Sequence, residues 1–169
     1  MGLDVSSTTV GLSIIKDEPL TLVHTEFFKP PKKVHIFKQL EQTKLYVLKK
    51  LKQYKPDQIV IEDIIEYIQG GSGSKTTIKL AIFNRTIGLA IFEELGEPPI
   101  LLNVNTARKL IKPEGYSGRL TKEDVPQALE VLFDQPFPFL YNKKGNIKKE
   151  SYDMADSVAI AVAHVLNHE

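Results

Sequence analysis

Cysteine and tryptophan are absent from this 169-residue chain, and histidine occurs only four times. Without cysteine there is neither a disulfide framework nor a thiolate metal site, so a bound metal would have to be held by oxygen or histidine ligands. Long apolar runs are missing too. None reaches the ~18 uninterrupted residues of a membrane span, which predicts no membrane partner. The chain opens directly on a strand-like segment, with no charged and apolar leader to be removed. An excess of one charge is also lacking. The 22 basic and 21 acidic residues leave a formal charge of +1, which gives no global attraction to nucleic acid.

What is present is the balance of a folded soluble protein, 42% hydrophobic and 25% charged, in a length that fits one domain over 1–169 and excludes two lobes of ordinary size. Residues 1–15 read as an apolar β-hairpin carrying a single carboxylate, Asp4, between Leu3 and Val5. An acid there costs several kcal/mol to desolvate alone, so it should meet a cation, a metal or solvent at a cleft. A third strand spans 20–28 and is broken by Lys29-Pro-Pro-Lys-Lys33. Val34, Phe37, Leu40, Leu45, Leu48 and Leu51 then predict an amphipathic helix over 34–54. The run Ile59-Val-Ile-Glu-Asp-Ile-Ile65 reads as a buried strand entered from a helix, hence parallel to the first.

A glycine-serine tract, 69–74, precedes a helix over 75–95 whose apolar residues project in nearly every direction. One face can pack on the sheet. The other predicts a homodimer contact, and Gly88 in mid-helix would let a neighbour approach closely. Further on come a strand over 100–104, a short helix over 106–111, a helix beginning at Thr121 and running through Leu132, a loop over 134–146, and a last helix over 151–167. Basic residues gather in 103–122 and again in 143–149, where a solvated loop is the plain expectation.

Three segments end in carboxylates. Asp4 lies in the first strand and Glu62 ends the apolar run 59–61, with Asp63 turned to the opposite side. Asp153 and Asp156 open the last helix, where an i, i+3 pair sits about 60° apart around the axis and roughly 4.5 Å along it, sharing one face. Taken singly, each has an ordinary explanation, such as a first-turn acid favoured by the helix dipole or a solvated strand end. Together they form an oxygen ligand set of the kind hard divalent cations prefer. Two ions about 4 Å apart could then activate water and hold a scissile phosphate for in-line displacement. A phosphate-binding loop at Gln69-Gly-Gly-Ser-Gly-Ser-Lys-Thr76 fails, because the required glycines fall at Gln69 and Ser74. His164 follows Asp156 by eight residues, about 12 Å along a helix, and is too far to share its metal.

Gly2-Leu-Asp4 followed by Gly11, then Ile61-Glu62, and above all Asp153-Met-Ala-Asp-Ser-Val-Ala-Ile-Ala-Val-Ala-His164 resemble, in order and spacing, the catalytic segments of RuvC-type Holliday junction resolvases. The resemblance spans nearly the whole chain. It implies an α/β, RNase H-like fold, with a central mixed five-stranded sheet flanked by helices on both faces. It implies that Asp4, Glu62, Asp153 and Asp156 are catalytic carboxylates binding two Mg2+ ions, with Mn2+ able to substitute. It further implies a homodimer, packed through the helix 75–95, that cuts two opposed strands of four-way branched DNA and leaves 5′-phosphates.

Arg108, Lys109 and Lys122 correspond to the family's basic segment and are the expected phosphate contacts. Tyr67, in the loop after Glu62, is placed to stack on an unpaired base at the junction centre. The expected location is the cytoplasm, at the nucleoid, or the host cytoplasm for a viral member. The family's usual Asp-Pro-Gly opening is Asp4-Val-Ser6 here, a departure that fits a diverged, phage- or virus-encoded member.

Rival functions remain open: another RNase H-like nuclease acting on RNA or RNA-DNA hybrid, a catalytically silent junction-binding protein, or an ATP-binding fragment of the actin and sugar-kinase type. The last lacks room for a second lobe.

Overall fold

A computed structural model describes residues 1–64 and 75–167. Its strands β1 (Gly2–Val5), β2 (Val10–Lys16), β3 (Thr21–Phe28), β4 (Val60–Glu62) and β5 (Ile100–Leu102) form one sheet in the order β3-β2-β1-β4-β5. The first three pair antiparallel. β4 joins β1 in parallel and β5 joins β4 in parallel, as a strand entered from a helix predicts. The sheet is therefore mixed. Helices α1 (Ile36–Tyr54), α2 (Lys75–Leu95), α3 (Val104–Leu110), α4 (Val125–Phe133) and α5 (Glu150–Leu166) complete the chain.

Strand alternation sorts the core into two layers. Leu3, Val5, Ile59 and Ile61 point to one face, where they pack with Leu40, Val47 and Leu51 of α1 and Phe83, Ile87 and Ile91 of α2. Val60 points to the other face, into a cluster built with α3, α4 and α5. The same alternation sends Gly2 and Asp4 of β1 toward α5, and Glu62, two residues after Val60, goes the same way. Since Leu3 pairs with Ile61, Asp4 and Glu62 come out level at one end of the sheet.

α5 lies on that face unusually closely. A Cβ added at Gly2 would stand 2.0 Å from the Ser157 carbonyl oxygen, and one at Gly11 would stand 2.1 Å from that of Asp153. Ser13 Oγ donates to the Ser157 carbonyl at 2.8 Å. Ala155, Ala159, Ala161 and Ala163 keep the helix slim, and every residue from Met154 to His164 is buried. His164 is a core histidine, its Nε2 2.8 Å from Gln58 Oε1.

Three sequence expectations shift. The inner face of α1 is Gln39, Leu40, Thr43, Val47 and Leu51, while Val34, Phe37 and Leu45 are exposed. Two polar residues can sit inside because Thr43 Oγ1 donates to Gln39 O at 2.8 Å and Gln39 Nε2 to Val34 O at 3.0 Å. The helix expected from Thr121 begins only at Val125. Asp124 accepts from Thr121 N at 2.8 Å and Thr121 Oγ1 at 2.7 Å, closing a turn ahead of it. The stretch 134–146 is more than a loop, since Tyr141 and Ile147 pair as an antiparallel bridge.

Candidate active site: an acidic cavity holding two internal cations

A cavity of about 520 Å³ opens at the sheet end where β1 and β4 finish, lined by Asp4, Glu62, Asp153 and Asp156 together with Ser6, Asn84, Arg108 and Lys122. The three segments singled out for their acids thus meet in one place. β1 and β4 supply Asp4 and Glu62 from adjacent parallel strands. The first two turns of α5 supply Asp153 and Asp156 from one helix face, and both reach the same ammonium group. Lys122 Nζ is 2.7 Å from Asp153 Oδ1, 3.1 Å from Asp156 Oδ2 and 4.0 Å from Asp4 Oδ2.

Arg108 adds a second cation. Its Nη2 donates to both oxygens of Asp156, at 3.0 and 3.2 Å, while Asp156 is only 2% exposed. Its Nε is buried with no partner among the described residues. Four carboxylates against two cations leave the cavity short of positive charge. Burial, followed by the neighbouring Glu62, pushes Asp4 well above the usual carboxylate range, with Lys122 opposing. Glu62 is also raised, by burial and then by Asp156, against the lowering effects of its hydrogen bond with Asp4 and of Lys122 and Arg108. Lys122 moves above its ordinary value. Burial pulls it down, but the carboxylates of Asp156, Asp4 and Asp153 outweigh that.

Other contacts fix the cavity's frame. Asn84 Nδ2, from the buried side of α2, donates to Glu62 O at 2.7 Å. Asp63, just past the end of β4, was expected on the opposite side of the strand but also lines the cavity, where it pairs with Arg85 at 2.9 Å. Lys109 is exposed on α3 and is not among the cavity-lining residues. Tyr67 and the glycine-serine tract lie outside the described residues. Asn84 went unnoticed in the sequence because an asparagine within an apolar helix carries no spacing signal. Gly11 was quoted as part of a motif without its reason, which is the pressure of the Asp153 carbonyl against it.

Among the described residues, no three or more His, Cys, Asp or Glu side chains stand ready as a metal cage. The arrangement explains this, because the Lys122 ammonium occupies the space between the carboxylates. The donor set itself fits a hard divalent cation. It consists wholly of carboxylate oxygens, it carries excess negative charge, and it already gathers around a positive group.

The crossover junction endodeoxyribonuclease RuvC of Aliarcobacter butzleri (strain RM4018) is 28% identical over 168 residues, which is 97% of this chain and 96% of that protein. The similarity to RuvC thus runs along nearly the whole chain. Among solved structures, T. thermophilus RuvC in complex with Holliday junction substrate superposes with a TM-score of 0.72 at 18% identity, covering 99% of this chain and 92% of that one. A further Thermus thermophilus RuvC structure gives 0.70 at 20% identity, with 99% and 93% covered. These two likenesses establish that the chain has the fold of RuvC. No protein-family model matches it.

Proposed function

We propose that this protein is a metal-dependent endonuclease that resolves four-way DNA junctions, with the whole of 1–169 acting as one nuclease domain in the cytoplasm, at the nucleoid. The observation that carries the proposal is the convergence of Asp4, Glu62, Asp153 and Asp156 from three separate elements on one cavity, in a chain that matches a curated RuvC nearly end to end. Asp4, Glu62, Asp153 and Asp156 are assigned together as the metal ligands. Two Mg2+ ions held there, with Mn2+ able to substitute, would polarise the scissile phosphate and generate hydroxide for in-line attack, leaving a 5′-phosphate.

The chain's own residues do the rest. Burial and the neighbouring Glu62 favour the protonated form of Asp4, so a cation held there would compete with a proton. Lys122 must leave the space between the carboxylates. Its ammonium then becomes available to a phosphate oxygen, and the unpartnered Arg108 Nε is a second donor for the same charge. Lys109, exposed beside Arg108, supplies a further phosphate contact, and Tyr67 is assigned to stacking at the junction centre.

The partner is assigned as a second copy of the chain, packed through α2. That helix buries Phe83, Asn84, Ile87, Ala90 and Ile91 while Ile78, Ile82, Leu89 and Phe92 remain on the opposite face at 40–56% exposure. A Cβ at Gly88 would meet only Pro99 Cγ, at 3.8 Å, so within one chain nothing requires glycine there. The paired arrangement suits a substrate in which two strands must be cut together.

Incision of a synthetic four-way junction, compared with linear duplex, RNA-DNA hybrid and structured RNA in the presence and absence of Mg2+, tests the function. Paired nicks in the junction alone, dependent on Mg2+, are the expected result. Preference for hybrid or RNA would assign the same chemistry to another nucleic acid, and binding without cutting would make the protein a silent junction binder.

A further inference from the structure

The cations inside the cavity are already spoken for. Arg108 and Lys122 are bonded to Asp156 and Asp153, and the chain as a whole carries only +1. Until those pairs open, attraction to a polyanion comes from lysines whose charge is not consumed internally, in addition to Lys109. Two exposed segments supply such lysines and lie together at the same end of the sheet as the acids.

The first is 29–33, directly after β3, whose last residue Phe28 pairs with Val10 at the level of Val5. The second is the β-hairpin around 141–147, which leads straight into α5. Lys29 joins the two by an ion pair with Glu150, the first residue of α5 and one helical turn ahead of Asp153. Neither 29–33 nor 141–149 contains an acidic residue. Lys32, Lys33, Lys143, Lys144 and Lys148 are exposed and form no ion pair among the described residues, and Lys149 lends part of its charge to Glu150.

The segments are also built to hold shape, which a merely solvated lysine run has no need to do. Asn142 Oδ1 accepts from Lys144 N at 2.8 Å and Asn146 N at 3.1 Å, while Asn142 N donates to Asn146 O at 2.9 Å. Gly145 takes the left-handed conformation the tight turn requires, with φ 80°. At the hairpin base, Lys148 N donates to Leu140 O at 2.7 Å, and Ser151 Oγ of α5 accepts from Leu140 N at 2.9 Å. Pro30 is buried and anchors the other segment. Tyr141, 57% exposed, adds an aromatic face beside the lysines.

From these observations we infer that 29–33 and 141–149 form a basic platform, separate from the acidic cavity, that grips the phosphate backbone of a duplex arm adjoining the cut. The inference rests on the proposed action on branched DNA and extends it to how the arm is held. A strand rises about 3.3 Å per residue, so the hairpin tip stands on the order of 10 Å beyond its base, a reach of two to three nucleotides along a backbone. The platform contributes affinity and leaves the chemical step alone, because its lysines are not among the residues that line the acidic cavity.

The test uses the full chain and a synthetic junction. Two pairs of substitutions remove equal charge: Lys143→Gln with Lys144→Gln on the platform, and Lys16→Gln with Lys55→Gln at the opposite end of the sheet. Junction affinity is measured without Mg2+ between 50 and 200 mM salt, and single-turnover cutting at saturating protein. The platform pair is expected to weaken binding roughly tenfold and to lower the salt slope by about 2, near 0.9 for each lost phosphate contact, with cutting at saturation unchanged. The control pair should alter neither. Equal effects from both pairs, or no effect from the platform pair while the wild type binds junctions normally, would overturn the platform alone. A wild type that binds no branched DNA would overturn the functional proposal with it.

Discussion

The acidic cavity and the outer face of α2 break the usual division of polar outside and apolar inside, in opposite directions. At the cavity, carboxylates are buried beside one another and need two of the chain's own cations to be tolerated. On α2, large apolar side chains stand in water beside surface ion pairs such as Lys44 with Glu93. Each arrangement is unfavourable for the isolated chain and, on the function proposed above, would become favourable when something else is added: a divalent cation in one case, a second copy in the other. Substitution should therefore act oppositely on stability and function at the first place, and spare the isolated fold at the second.

The largest effect expected is on cutting. Asp4→Asn or Glu62→Gln should slow junction incision by at least ~100-fold, since even the outer partners of a metal site are worth 10–100-fold, while gel-shift affinity stays near that of the wild type. Normal incision by either variant would end the analogy between the two regions. Next comes the dimer. Leu89→Lys with Phe92→Glu should weaken self-association by roughly 30-fold or more, the cost of losing an interface hot spot. Sedimentation reads this, and monomer unfolding at high dilution should stay within about 0.5 kcal/mol, because neither residue is buried in the monomer.

A smaller effect concerns metal affinity. Lys122→Met removes the ammonium from among the carboxylates, and Mn2+ binding followed by calorimetry or electron paramagnetic resonance should tighten by about tenfold. An unchanged affinity would show that the lysine yields its position without cost. The smallest effect is thermal. A carboxyl group whose folded-state value lies above its unfolded one favours folding at low pH, and that contribution is lost as pH rises through the folded-state value. Asp4→Asn should therefore raise the metal-free melting temperature by about 3 °C at neutral pH, with the gain vanishing below about pH 4, where Asp4 is protonated in both states.

The sequence made the site legible to the extent that it lay in short-range pattern. Alternation along 59–62 turned Val60 and Glu62 to one face of the sheet, although Asp63, past the strand's end, joins the cavity lining as well, and helical spacing put Asp153 and Asp156 on one face, where Lys122 touches both. The two-faced character of 75–95 followed from counting apolar residues around a helix. What alternation and helical counting cannot carry is long-range contact. Nothing local to Lys122 indicates that it fills the space between three acids, since the turn that presents it is closed by Asp124 and the acids arrive from elsewhere. The inner face of α1 was misjudged for a related reason. Gln39 and Thr43 are acceptable inside only because each finds a backbone carbonyl within its own segment, whereas Phe37 and Leu45 have no sheet beneath them.

The contact of Gly11 with the Asp153 carbonyl bears on how this scaffold could be redesigned. Main chain rests on main chain there, with no side chain between to act as a spacer, so the gap separating the strand-borne acids from the helix-borne pair is set by the polypeptide path itself. Loops, lysine-bearing surfaces and the α2 face can be exchanged to retarget the protein. The width of the gap between the acids cannot be tuned that way, and resizing it would mean rebuilding the seat of α5.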